Sequence, residues 1–364
     1  MSHFYSLSIE RVQQDTRDAI IVSLHLPDEL RSVFTYQQGQ HLTLRAMIDG
    51  EDVRRSYSLC SAVQDEKLQI AIKKVSGGIF STWAHANLEA GMTLDVMPPM
   101  GRFQVPLQPE KPRHYLAFAA GSGITPIYSI IKTSLLAEPY SRVTLVYGNR
   151  ASSTVMLREA LADLKDRFLD RLSIVHVMSR EKQDIDLFNG RIDADKCRAL
   201  AEHWIAIDGV DVAFICGPES MTHQVSETLQ SLGMVKDQIK TELFSASTMD
   251  TAAAAARRQT RAGNASELGT QCEVSFIIDG HHHQITMQRD SQSLLDAGLA
   301  NGIDIRYACK GGICATCRCK VLEGRVDMDA NHALEDYEIA RGFVLSCQAY
   351  AASERLVLDF DQDS

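Results

Sequence analysis

One stretch restricts this chain more than any other: Cys309-Lys-Gly-Gly-Ile-Cys314-Ala-Thr-Cys317, followed by Cys347 in Leu-Ser-Cys-Gln. The C-x4-C-x2-C…C spacing is the ligand pattern of a plant-type 2Fe–2S cluster. Two tetrahedral irons that share bridging sulfides need four thiolates, two for each iron. Gly311, Gly312 and Ala315 are small enough to let the backbone wrap closely and aim N–H groups at sulfur. The alternative is a structural zinc site, which usually takes two C-x2-C pairs. Cys347 has no second cysteine close by, so the expected metal ligands are Cys309, Cys314, Cys317 and Cys347. Cys319 fits only a shifted register and reads as a free thiol.

A chain of 364 residues suggests two or three domains. No apolar run approaches the length of a membrane span. The opening Met-Ser-His-Phe-Tyr-Ser lacks the basic-then-apolar pattern of a signal peptide. Nine cysteines without an export signal point to reduced thiols and metal ligands in the cytoplasm. A net charge of −10 argues against a nucleic-acid partner. The acidity is concentrated in residues 271–364, with 15 Asp+Glu against 8 Lys+Arg. That suits docking to a positive protein surface, and it equally suits plain solubility.

Residues 1–105 read as β-rich, with short strand signals at Val12, Ala19 to Leu26 and His41 to Met47; regular short strands suggest an antiparallel barrel. Residues 106–245 alternate apolar strand-like runs (115–120, 143–147, 172–178, 212–216) with helical stretches (127–136, 156–167, 221–232). Such alternation implies a parallel sheet with crossover helices. Residues 246–270, poor in large apolar side chains, read as a linker, although the alanine run within them could be helical. Residues 271–364 open with a hairpin signal: Val274–Ile278, an Asp279-Gly280 turn, then Ile285–Met287. His281–His283 follow the turn and read as a solvated hairpin tip. A helix is expected around Leu294–Ala300, capped by Ser291 or Ser293.

Three further segments carry chemistry. Arg55-Ser-Tyr57-Ser58 offers a cation for a pyrophosphate, an aromatic cover and a hydroxyl. Lys73 is followed by Gly77-Gly78-Ile-Phe80-Ser81, where the glycines let N–H groups approach phosphate. Alone, Arg55 reads equally as a surface ion pair and Tyr57 as a core aromatic. Ala119-Ala120-Gly121-Ser-Gly123-Ile-Thr125-Pro126 then follows a strand and opens a helix, so a dinucleotide can approach the helix N-terminus. Proline stands where the usual G-x-G-x-x-G has its third glycine.

Together, and in this order, these segments resemble the ferredoxin–NADP reductase family over about residues 5–245. Arg55, Tyr57 and Ser58 look like its flavin signature, and Gly77, Gly78, Phe80 and Ser81 like its pyrophosphate segment, with Lys73 before them a further cofactor-binding candidate. Gly121, Gly123, Thr125 and Pro126 look like its nicotinamide-cofactor turn. Cys216-Gly217-Pro218 is similar to its nicotinamide-facing loop, and Glu242-Leu-Phe244 to its end-of-domain motif. The resemblance implies a multidomain protein. Its parts are an antiparallel β-barrel holding flavin, FAD rather than FMN, an α/β parallel-sheet domain holding NAD(P)H, and a C-terminal α+β β-grasp ferredoxin domain. It also implies that Ser58 and Cys216 lie beside the reacting rings, although Cys216 could be just a small buried residue. The second strand of the α/β domain ends Tyr147-Gly-Asn-Arg150 without the acid that would favour NAD. Ser179-Arg180 looks like the family's 2′-phosphate pair, so NADPH is expected over NADH.

A hydride pair entering at a flavin and leaving through a one-electron cluster makes an electron-transfer reductase. The domain order and segments such as Gly39-Gln-His41-Leu, Phe214-Ile-Cys216-Gly-Pro218 and Tyr307-Ala-Cys309 also resemble the reductase subunits of phenylacetyl-CoA epoxidase (ring 1,2-oxygenase) systems. That implies electron delivery to the oxygenase component of a multicomponent monooxygenase. A reductase for another hydroxylase or a hybrid-cluster protein, and a flavin-free iron–sulfur carrier or sensor, remain as alternatives. Lys310, Ile313 and Arg318 are the expected docking surface around the cluster.

Overall fold

The computed structural model describes residues 4–244, 271–289 and 292–362. These fall into two compact units, one made of Phe4–Phe244 and the other of the C-terminal part of the chain. The linker expected over residues 246–270 lies outside the described residues, as does Ser291.

The first unit begins with six antiparallel strands: β1 (Tyr5–Thr16), β2 (Ala19–Leu24), β3 (His41–Ile48), β4 (Glu51–Ser58), β5 (Leu68–Lys73) and, after helix α1 (Ile79–Asn87), β6 (Thr93–Val96). The spatial order is β4-β3-β6-β1-β2-β5. An antiparallel bridge between Leu59 and Ile70 joins the two ends and makes the sheet barrel-like. Leu7, Val22, Leu42, Leu44, Ile70 and Ile72 fill its interior, each almost completely buried. They follow the period-2 pattern that a sheet with one wet face requires.

Next comes an α/β layer: β7 (His114–Ala120), α2 (Ile124–Ala137), β8 (Arg142–Asn149), α3 (Arg158–Arg167), β9 (Leu172–Met178), α4 (Ala194–His203), β10 (Val212–Gly217), α5 (Glu219–Ser231) and β11 (Ile239–Leu243). All five strands are parallel, in the order β11-β10-β7-β8-β9. β7 and β10 read as continuous apolar runs because helices cover both faces of the sheet. The chain leaves β7 in one direction along the sheet and returns at β10 on its other side. The crevice at such a switch point is where open α/β sheets bind ligands. Helix α2 is buried nearly all round because it is wedged between this sheet and the barrel. Ser129 Oγ donates to Ser61 O at 2.7 Å and Lys132 pairs with Asp65 at 2.7 Å.

The second unit holds the strands β12 (Gln271–Ile278), β13 (His281–Gln288), β14 (Arg318–Glu323), β15 (Val326–Met328), β16 (Phe343–Leu345), β17 (Ala349–Ala351) and β18 (Arg355–Asp359), with helices α6 (Leu294–Ala300) and α7 (Asp336–Ala340). The main sheet runs β13-β12-β18-β14-β16, parallel only between β12 and β18. This mixed sheet grasping a helix is the β-grasp arrangement. Asp279-Gly280 forms the hairpin turn with both residues at positive φ. The three histidines are the first residues of β13, exposed and paired with Ile278, Ile277 and Phe276. Ser293 caps α6, its Oγ accepting from Asp296 N at 3.1 Å.

Candidate functional site

The crevice at the carboxyl ends of β7 and β10 is built around glycine. After β7 the chain turns through Gly121–Gly123 directly into α2. A Cβ on Gly123 would lie 2.1 Å from Cys216 O, so only glycine lets the two strand ends approach this closely. Gly121 adopts φ +55, and its carbonyl accepts a hydrogen bond from Tyr147 Oη at 2.9 Å. Thr125 and Pro126 are buried in the first helical turn, where Thr125 Oγ1 donates to Ser122 O at 3.0 Å. They shape the turn with their side chains. On the β10 side a Cβ on Gly217 would meet Met221 Cε at 2.5 Å, and Pro218 precedes the first residue of α5.

Cations converge on this turn. Lys73, at the end of β5, places Nζ 3.2 Å from the position a Cβ on Gly121 would occupy. Its pKa is lowered, first by burial and then by the charge of Arg150. Two like charges held together beside a helix N-terminus make a seat for an anion. Lys73, expected from the sequence to bind cofactor, thus reaches the Gly121 turn. Beyond β8 and β9 the backbone continues in register: Ser179 N donates to Asn149 O at 2.9 Å and Arg180 N to Arg150 O at 2.8 Å. Met178 bridges to Asn189, and its carbonyl accepts from Gly190 N at 2.8 Å, which brings the Asn189-Gly190 turn beside the end of β9. Arg150, Arg180 and Arg191 are all exposed.

Across the cleft, β4 supplies the flavin-signature residues. Arg54 is buried against Asp52 at 2.9 Å, whereas Arg55 is exposed, its Nη1 donating to Arg54 O at 2.7 Å. Tyr57 is half-buried, with its ring 5.7 Å from that of Phe80. Ser58 is buried, and its Oγ donates to Glu242 Oε2 at 3.4 Å. Glu242 on β11 is the register partner of Cys216 on β10. Burial pushes the Glu242 carboxyl up to about 8, against the opposing hydrogen bond from Ser58. The Cys216 thiol is fully buried and is raised first by that burial and then by the charge of Glu242. A hydroxyl, a carboxyl and a thiol from three separate strands thus meet at one point.

Gly77 lies at φ +74, and Gly78 precedes α1 with no room for a side chain, since a Cβ would sit 2.6 Å from Ser81 Oγ. Two of the expected residues turn their side chains inward. The Phe80 ring is 1% exposed and packs in the barrel core, and Ser81 Oγ accepts from Val75 N at 3.1 Å. Both side chains serve the fold, so at a phosphate these residues have only their main-chain N–H groups at the start of α1 to offer. Phe244 is exposed at the end of the first unit.

In the second unit the cysteine loop is wound tightly. Lys310, Gly312 and Ala315 all have positive φ, and a Cβ on Gly312 would lie 3.0 Å from Ala330 O. Gly311 N and Ile313 N donate to Cys309 Sγ at 3.3 and 3.4 Å. Gln348 Nε2 donates to Lys310 O at 2.8 Å, tying the loop to the residue after Cys347. The four sulfurs sort into two pairs by their influence on one another, Cys309 with Cys314 and Cys317 with Cys347. Cys309 is pulled down to about 5, first by Cys314 and further by backbone N–H groups. Cys319 is packed in the core of the unit, 1% exposed. Two of the cations expected around the cluster have partners within the unit. Arg318 is bound to the buried Glu338 at 3.1 Å, and Lys310 pairs with Asp296 at 2.9 Å.

Three family models match in tandem: an oxidoreductase FAD-binding domain over residues 6–105, an oxidoreductase NAD-binding domain over 118–227, and a 2Fe-2S iron-sulfur cluster binding domain over 276–352. A component of 1,2-phenylacetyl-CoA epoxidase from Escherichia coli K12 is 43% identical over 361 residues, 99% of each chain. The ferredoxin reductase component of 3-ketosteroid-9-alpha-monooxygenase from Rhodococcus rhodochrous is 35% identical, covering 97% of this chain and 96% of that one. This chain belongs to the family of oxygenase reductases. The reductase shares its three-part fold with phthalate dioxygenase reductase, at a TM-score of 0.59 and 21% identity over 98% of both chains.

The residues present fit the groups that this family of reductases binds. Two sulfur pairs suit two irons, whereas a single zinc ion would gather all four sulfurs. Among the described residues, no three metal-ligating side chains converge on one point. Ser346, next to Cys347, is fully buried with a hydroxyl that has no partner, a donor that a cluster sulfur would satisfy. In the cleft, the open glycines and the neighbouring cations Lys73 and Arg150 suit pyrophosphate. The sequence offered Glu242 only as part of Glu242-Leu-Phe244, and its packing against Ser58 and Cys216 became visible in the fold. The chain is an NAD(P)H-dependent electron-transfer oxidoreductase, and among its described residues no helix is long and apolar enough to cross a membrane.

Proposed function

We propose that this reductase draws electrons from NADPH in the cytoplasm and delivers them singly to a separate oxygenase acting on an aromatic acyl-CoA, phenylacetyl-CoA first among them. The observation that carries the acceptor is the 43% identity, end to end, with the 1,2-phenylacetyl-CoA epoxidase component of Escherichia coli K12. When bound, the flavin takes up two electrons at once and the cluster releases them one at a time. The protein's share is binding, orientation and proton handling. Lys73, Arg150 and the Gly121–Gly123 turn would receive the dinucleotide pyrophosphate. Ser179 and Arg180 would receive the adenosine 2′-phosphate. Arg55, the Gly77-Gly78 turn and the start of α1 would hold the flavin phosphates, with Tyr57 and Phe244 as ring covers. Glu242, kept protonated near neutral pH, can exchange a proton at Oε2 with Ser58 Oγ. The fully buried Cys216 thiol would stay neutral and bound one wall of the site. Cys309, Cys314, Cys317 and Cys347 would ligate the cluster.

The test is reconstitution. Reductase and NADPH are mixed with a purified phenylacetyl-CoA oxygenase component and the product is assayed. Substrate oxidation coupled to NADPH use is the expected result. Cytochrome c reduction without oxidation of phenylacetyl-CoA would remove the assignment. A second reading, a steroid-ring oxygenase as acceptor, has the 35% identity with the ketosteroid monooxygenase component behind it, and the same assay with that oxygenase separates the two.

A further inference from the structure

The segment that carries Ser179 and Arg180 is not free to choose its position. Its next residue, Glu181, turns back toward the end of β8. There its Oε2 accepts from both Ser152 N and Ser152 Oγ, each at 2.8 Å. Ser152 opens the short turn Ser152–Thr154, two residues after Arg150. That turn is itself closed, with Thr154 Oγ1 accepting from Ala151 N at 3.2 Å and donating to Ala151 O at 2.7 Å. Backbone bonds from Ser179 to Asn149 and from Arg180 to Arg150 complete the tie. The carboxylate is held below its ordinary range, chiefly by the Ser152 backbone N–H and then by its hydroxyl, so it stays charged at neutral pH.

A carboxylate near a cofactor's ribose ordinarily suggests a hydrogen bond to the 2′-hydroxyl of NAD. Here the carboxylate has another occupation. We propose that Glu181 and Ser152 are positioning residues for cofactor discrimination: their bond ties the Ser179–Arg180 segment to the turn after Arg150, so that Arg180 meets the adenosine 2′-phosphate from an edge held fixed relative to Arg150. This rests on the reading of NADPH as donor. Fixing the edge beforehand removes an ordering cost that a loose loop would incur on binding. Glu181 itself does not touch the cofactor.

The experiment uses the complete, cofactor-loaded reductase with ferricyanide as electron acceptor. kcat and KM are measured for NADPH and for NADH in wild type, Glu181→Ala, Glu181→Gln and Ser152→Ala. Losing charge-assisted hydrogen bonds of this kind should raise the NADPH KM about tenfold in Glu181→Ala, with kcat and the NADH parameters unchanged. Ser152→Ala, which keeps the backbone N–H, should move the same way by less. Glu181→Gln retains an acceptor oxygen and should restore most of the wild-type preference, which a pure charge effect would not. Inhibition by 2′,5′-ADP should weaken in Glu181→Ala while inhibition by 5′-ADP holds.

Wild type that prefers NADPH, with all three variants unchanged, overturns the tie and leaves the donor reading standing. A fall in NADH efficiency or a gain in NADPH efficiency on removing Glu181 also overturns it, since the acid would then be serving the ribose or repelling the phosphate. Equal use of both cofactors by wild type overturns the donor reading, and the proposal with it. Should Glu181→Ala not fold, Ser152→Ala decides the matter alone.

Discussion

Ser58 Oγ donates to Glu242 Oε2 at 3.4 Å, joining residues 184 positions apart in the sequence. The bond links the last residue of β4 to β11, where Glu242 stands beside Cys216. It brings the flavin signature and the carboxyl end of the parallel sheet into one polar contact inside the first unit.

The Glu242 carboxyl is raised from its ordinary 4.5 to about 8 by burial. Between those values the folded protein keeps a proton that the unfolded chain has released. Stability should therefore decline as pH rises through that window, and level off above it. Replacing Glu242 with Gln should flatten the decline, read as Tm against pH. In turnover, wild type should lose a proton-dependent step above about pH 8, and the variant should be slow at every pH with that limb gone.

Lys73 faces the Gly121 turn, which NADPH and NADH would meet with the same pyrophosphate. Lys73→Met should raise KM for both cofactors by a similar factor, about tenfold, leaving their ratio unchanged. Arg180→Ala should raise it for NADPH alone. Steady-state kinetics with both cofactors separate the two roles.

Cys319 is buried in the core of the second unit. Cys319→Ser should keep about two irons per chain and an unaltered visible spectrum, whereas Cys347→Ser should lose the cluster. Loss of iron from Cys319→Ser would mean that the ligand register is shifted.

Two glycines make a matched comparison. At Gly123 a Cβ would sit 2.1 Å from backbone, whereas at Gly209 the nearest contact is an ordinary 3.5 Å from the end of Arg142. Gly123→Ala should cost roughly 1–3 kcal/mol and raise the KM for NADPH. Gly209→Ala should be close to neutral, as measured by denaturant unfolding.

Much of this was open to sequence reading because local rules dictate it. The apolar runs of β7 to β10 can only be buried strands, the glycine turn must follow β7, and four cysteines at that spacing define their own loop. What escaped was what tertiary contact decides. Glu242 became a site residue only because β11 packs beside β10 and opposite β4. Lys73 was a cofactor-binding candidate without a place until β5 was set against Gly121. Arg318 looked like a surface cation, but it is bound to the buried Glu338, and Phe80 turned inward because α1 needs an anchor in the barrel core. Helix α4 had only a weak apolar pattern, marked chiefly by its Asp193 cap.

The central claim is that electrons enter as a pair at the flavin and leave singly through the four-cysteine loop. The most direct measurement is anaerobic mixing of the complete reductase with NADPH, followed by absorbance and by freeze-quench EPR. Flavin bleaching should come first and the signal of a reduced 2Fe–2S cluster second. Protein stripped of flavin should show no EPR signal with NADPH until FAD is restored. Cluster reduction by NADPH in the flavin-free protein, or no cluster signal in the complete one, would contradict the account.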